Sequence, residues 1–146
     1  MGTLLLAREL RSLEDTQALA LEALPLLPEG ALVVLEGPLG AGKTTFVRFL
    51  AEAMGFRGRV TSPTYTLIHT YPTPQGLLVH ADLYRLKDPT ALLPQLEAAR
   101  EGARLVLVEW GDSRALEADF LLRLTPEEEA RRAELWHLHP GEEEGV

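Results

Sequence analysis

The 146-residue chain, 46% hydrophobic and 25% charged, has the size and make-up of one globular domain, with no room for a separate substrate domain. Having no cysteine, it excludes a disulfide framework, thiolate metal sites and a cysteine nucleophile together. Its formal net charge is −8; residues 126–146, with seven Glu and two Arg, carry −5 of that, and the remaining −3 argues against a protein that grips a nucleic-acid backbone unaided.

Residues 3–7 read as a short strand, and Ser12-Leu13-Glu14-Asp15 as a helix start with a capping carboxylate. Leu19, Ala20, Ala23 and Leu24 continue that helix as an apolar stripe until Pro25 and Pro28 end it. Residues 31–36 are too short for a helix and continuously apolar up to Glu36, as a strand buried on both faces should be. A glycine-rich turn follows at 37–42. A helix over 44–54 then carries Phe46, Val47, Leu50 and Met54 on one side and has Gly55 past its end. Residues 65–71 and 77–83 form strands of a predicted hairpin joined by Pro72-Thr73-Pro74-Gln75-Gly76, and Pro89 opens a helix through Leu92, Leu93, Leu96 and Ala99. Residues 105–108 are a second fully buried strand, closed by Glu109. Two late strands, 120–124 and 134–139, flank a helical or looped stretch at 126–132. Alternating buried strands and helices predict an α/β fold, a three-layer sandwich around a mixed sheet with the hairpin as its antiparallel part. One domain is expected over 1–140, with 141–146 as an acidic tail. No apolar run approaches a membrane span and no basic stretch precedes a signal-like segment, so a cytoplasmic protein away from membranes is expected.

Gly37-Pro38-Leu39-Gly40-Ala41-Gly42-Lys43-Thr44 satisfies G-x-x-x-x-G-K-[ST] at every fixed position, with the required buried strand before it and helix after it. Glycines let backbone N–H groups converge on an anion, and the helix dipole adds positive potential at the same place. Lys43, one of only two lysines, is where it can reach terminal phosphates, and the Thr44 hydroxyl is where it can ligate Mg²⁺. Such a loop needs carboxylates for the metal and for the attacking water. Glu109 and Asp82 each close an apolar stretch, so each should emerge at the carboxyl edge of the sheet, where ligands of α/β sheets bind. Either could hold the metal while the other orients the nucleophile.

Four blocks together carry a family resemblance. Gly37 to Thr45 resembles a G-x-L-G-A-G-K-T-T loop, with Pro38 where Asp is common. Ser62-Pro63-Thr64-Tyr65 resembles an S-P-T-[YF] segment, His80-Ala81-Asp82-Leu83-Tyr84-Arg85 an H-x-D-x-Y-R block, and Glu109-Trp110 an E-W pair. The chain in this respect resembles the bacterial ATPases required for tRNA threonylcarbamoyladenosine biosynthesis, the TsaE family. The resemblance implies weak hydrolysis of ATP with Mg²⁺, in support of a threonylcarbamoyl transferase subunit and its paralogous partner (TsaD and TsaB), with tRNA met only through that complex. By matching position it implies that residues 37–45 bind nucleotide, that Thr44, Glu109 and Asp82 serve the metal, and that Asp82 and Glu109 are catalytic. It also implies that Ser62, Thr64 and Tyr65 form a switch sensing the terminal phosphate.

Arg85 and Trp110 are accessory candidates, the first for phosphate charge and the second for lining the nucleotide cleft or a partner surface; a surface ion pair and a core position are the plain readings of each. His137 and His139 share a strand face without further ligands in sight, and Arg57 and Arg59 form a small basic spot in a solvated loop. ATP is preferred to GTP because the chain has no asparagine, hence no Asn-Lys-x-Asp guanine reader. Two other readings stay open: a non-catalytic ATP-gated binding module, and a small-molecule P-loop kinase, for which so short a chain offers little lid or acceptor pocket.

Overall fold

The computed structural model describes residues 2–60, 67–84 and 86–139. The strands are β1 (Gly2–Leu10), β2 (Ala31–Glu36), β3 (Ile68–Thr73), β4 (Gly76–Asp82), β5 (Leu105–Glu109), β6 (Phe120–Pro126) and β7 (Arg131–Leu138), and the helices α1 (Leu13–Ala23), α2 (Lys43–Ala53) and α3 (Leu93–Arg100). All seven strands join one sheet in the order β1-β7-β6-β2-β5-β4-β3. The four central strands β6, β2, β5 and β4 run parallel, and β7, β1 and β3 attach antiparallel at the two sides.

Strand periodicity of two explains the layers. Ala31, Val33, Leu35, Leu78, Leu105 and Leu107 point to one face and pack under α1 and α2, against Leu19, Phe46, Val47 and Leu50. Leu32, Val34, Val79, Ala81, Val106 and Val108 point to the other, covered by Leu96 of α3 and by Leu116. β2 and β5 are covered on both sides, which is why their sequences are continuously apolar. The expected three-layer P-loop NTPase-like sandwich around a mixed sheet is therefore the fold. Asp82 and Glu109 are neighbours in the β4–β5 register, and Leu35 pairs with Glu109 across β2–β5, so both carboxylates end at the edge where the glycine loop leaves β2.

Several boundaries differ from the sequence reading. β1 is longer than 3–7 because it pairs with β7 along its length, with a bulge between Leu4 and Leu6. α2 begins one residue earlier, at Lys43. The hairpin turn shrinks to Pro74-Gln75: Pro72 is accommodated in edge strand β3, and Thr73 Oγ1 donates to the Gly76 carbonyl at 2.6 Å. A 3-10 turn (Pro89–Leu92) precedes α3 where a single helix was expected. Residues 126–132 hold no helix: β6 and β7 pair up to Pro126 opposite Arg131, and Glu127 N–H closes the turn on the Ala130 carbonyl at 2.9 Å. His137 and His139 touch each other, Phe120 and Thr3; among the described residues they join no metal-binding group. No helix among those residues is long and apolar enough to cross a membrane.

Candidate functional site

Three glycines of the loop have separate geometric duties. A Cβ at Gly37 would lie 2.8 Å from the Leu124 carbonyl oxygen, so the chain approaches β6 too closely for a side chain. Gly40 and Gly42 sit at φ +79° and +101°, the left-handed region in which other residues are strained. Gly42 is also the N-cap of α2 and brings no side chain to the helix start, and the first turn carries no acidic residue. The first-turn N–H groups of α2 thus keep their positive end toward the loop. Ala41 is buried and its N–H donates to the Pro38 carbonyl at 3.1 Å, whereas Pro38 and Leu39 project outward, Leu39 with 68% exposure.

Four polar side chains are buried among the described residues: Thr16, Lys43, His80 and Glu109. Three of them meet at this loop. The Lys43 Nζ donates to the Gly37 carbonyl at 2.5 Å and stands 3.4 Å from the centroid of the Trp110 ring. Burial lowers the pKa of Lys43 from its ordinary 10.5, while the nearby Glu109 and Asp82 charges act to raise it. Thr44 Oγ1 lies 3.2 and 3.4 Å from the two Glu109 carboxylate oxygens, and His80 Nε2 lies 2.5 Å from Glu109 Oε2. Asp82, half-buried beside Glu109 in the sheet, accepts the Tyr84 N–H at 2.9 Å. Trp110 adopts φ +62°, a conformation costing about 1–3 kcal/mol in a bulky residue. Its ring has the Lys43 ammonium over it and touches the tilted Tyr84 ring, whose centroid is 4.9 Å away.

The loop 37–45, Asp82, Glu109 and Trp110 are therefore brought together at one edge of the sheet. Ser62, Thr64, Tyr65 and Arg85, together with the tail 141–146, lie outside the described residues. Two side chains in this neighbourhood were not singled out as site residues in the sequence. His80 precedes Asp82 by two in a strand, so period-two alternation alone puts it on the same face. Arg131 reaches from β7 to donate to the Gly40 carbonyl at 3.0 Å, a contact across 91 positions that no local pattern signals. Arg131 also lines a cavity of about 710 Å³ that runs from Leu39 and Gly40 to Leu10, Ser12 and Thr16 at the start of α1.

Chemically, loop amides, a buried ammonium and a helix start can hold a polyanion, while a hydroxyl and a buried carboxylate stand ready for a cation beside it. No three His, Asp or Glu side chains among the described residues are grouped to hold a metal unaided. That donor set fits Mg²⁺, which keeps several waters and shares a site with substrate phosphates rather than occupying an all-protein cage.

Comparison with known proteins agrees with this architecture. The family model described as threonylcarbamoyl adenosine biosynthesis protein TsaE matches residues 10–134. The tRNA threonylcarbamoyladenosine biosynthesis protein TsaE of Aquifex aeolicus is 41% identical over 125 residues, covering 84% of this chain and 89% of that one. The protein of the same name from Haemophilus influenzae is 40% identical over 110 residues, 71% of this chain and 68% of its own. The crystal structure of Bacillus subtilis YdiB superposes with a TM-score of 0.73 at 27% identity, covering 99% of this chain and 92% of that chain. On the match of 125 residues and the shared fold, the chain belongs to the TsaE family of tRNA threonylcarbamoyladenosine biosynthesis proteins.

Proposed function

We propose that this chain is a P-loop ATPase that binds Mg-ATP and hydrolyses it slowly to support the threonylcarbamoyl transferase subunit and its paralogous partner, TsaD and TsaB. The observation that carries the reading is the convergence on the glycine loop of Lys43 and Thr44 from the start of α2 and of Glu109 from the end of β5. In this reading the loop amides and Lys43 bind the β- and γ-phosphates, and the dry surroundings of Lys43 strengthen its attraction for them. Thr44 and Glu109 hold Mg²⁺, which, when bound, neutralises charge developing on the transferred phosphoryl group. Glu109 is engaged with Thr44, so Asp82, its more accessible neighbour, orients the attacking water. The cavity beside Gly40 receives the nucleoside, since it opens from the loop and falls in the size range of small-molecule sites. The −3 of residues 1–125 favours contact with tRNA through the complex rather than directly.

Lys43→Ala tests the binding half of this reading. It should abolish the ATP-induced rise in melting temperature while leaving the ligand-free protein folded by circular dichroism. A shift equal to that of the wild type would refute nucleotide binding at the loop. A wild type that binds ATP and never hydrolyses it, with the transferase partners present, would favour the gated module instead.

A further inference from the structure

His80 stands at a position where packing alone asks for an apolar side chain. It is 0% exposed, faces the α2 side of the sheet with Leu78, and pairs in register with Leu107 on β5. Burying an imidazole there is costly unless its nitrogens find partners. Nε2 has one, the Glu109 carboxylate at 2.5 Å; Nδ1 is buried without a hydrogen-bond partner among the described residues. A leucine would leave no polar atom unsatisfied, so the ring's one polar contact is what distinguishes it from its neighbours. A carboxylate only accepts, so the hydrogen in the contact belongs to Nε2.

Glu109 is itself only 3% exposed and is engaged from two directions, by Thr44 Oγ1 from the start of α2 and by His80 from β4. Two contacts from separate rigid elements fix a carboxylate more tightly than either alone, and catalytic groups lose rate when displaced by about an ångström. We propose that His80 is a positioning residue: its Nε2–H locks the Glu109 carboxylate in the orientation that the hydrolytic step needs, so that it governs the rate of that step and not the affinity for nucleotide. The proposal rests on the ATPase reading of the site. It extends that reading by assigning to His80 a role that acts only through Glu109.

The test uses the full chain with the transferase partners and compares His80→Leu, which keeps bulk without a donor, with His80→Gln, whose side-chain amide can donate from near the Nε2 position. Single-turnover hydrolysis should fall about tenfold or more in His80→Leu, with ATP affinity within about threefold of wild type, and His80→Gln should recover most of the rate. In a Glu109→Gln background, His80→Leu should add less than about twofold, because both act through one carboxylate. In the ligand-free wild type, the imidazole Nε2–H of ¹⁵N-labelled protein should give a slowly exchanging, hydrogen-bonded resonance. Wild-type rate in His80→Leu, multiplicative losses in the double variant, or an Nε2–H in rapid exchange would each overturn the proposal. Parallel loss of affinity and melting temperature without rescue by His80→Gln would assign His80 to packing instead. A wild type without hydrolysis would overturn the ATPase reading and this proposal with it, whereas a hydrolysing wild type matched by His80→Leu overturns this proposal alone.

Discussion

Gly42 shows how a single backbone angle binds the loop to its duty. At φ +101° any L side chain is strained, while the space beside it is ample, the Arg131 Nη1 being 3.5 Å from a hypothetical Cβ. Gly42→Ala should therefore lose about 1–2 kcal/mol in a denaturant titration through backbone strain alone. A neutral result would mean that the loop relaxes freely. Arg131 belongs to the same scale. Its guanidinium fixes the Gly40 carbonyl at the mouth of the cavity assigned to the nucleoside, so Arg131→Ala should weaken ATP binding about fivefold in calorimetry without changing the fold. Unchanged affinity would move the nucleoside elsewhere. Lys43 and Thr44 were legible in the sequence because a motif fixes them by spacing, and Asp82 and Glu109 because each ends an apolar run. Arg131 was not, since its neighbour at Gly40 is a product of sheet order. His80 was visible only as part of a block, because a histidine in an apolar strand looks alike whether or not a carboxylate faces it.

At the scale of elements, burial on both faces made β2 and β5 readable, and the apolar spacing of α2 did the same for that helix. Leu50 of α2 is fully buried against the sheet, so Leu50→Ala should cost about 2–5 kcal/mol by chemical denaturation. A loss below about 1 kcal/mol would indicate that the helix repacks over the gap. Two departures, the helical alternative for 126–132 giving way to its looped one and Pro72 lying in a strand and not in the turn, share one cause. Glu127-Glu128-Glu129-Ala130 are good helix formers, yet they form a hairpin turn because β6 and β7 pair along their length and the ladder outweighs local preference. In the same way Pro72 is held in a strand by pairing with Leu77 across the β3–β4 hairpin. Propensity acts residue by residue, whereas registers are set by partners far along the chain.

The whole molecule joins two halves of one edge. On the β5–β4 side of the glycine loop stand Glu109 and Asp82, neighbours by register; on the β6–β7–β1 side lies the cavity with Arg131. The sequence indicated a mixed sheet, but strand order was not readable from it, because the crossovers that interleave β2 between β5 and β6 leave no local pattern. That order is what gives the loop a carboxylate side and a cavity side. The central claim, that these carboxylates drive hydrolysis at a site built mainly to bind phosphate, is tested most directly by Asp82→Asn and Glu109→Gln. Single-turnover ATP hydrolysis should be measured beside nucleotide affinity, with the transferase partners present. Because that claim gives ground-state affinity to Lys43 and the loop amides and the forming nucleophile to the carboxylates, each variant should lose about a hundredfold or more in rate, about 2.7 kcal/mol of barrier, and little affinity. Wild-type rates in both variants would contradict the account.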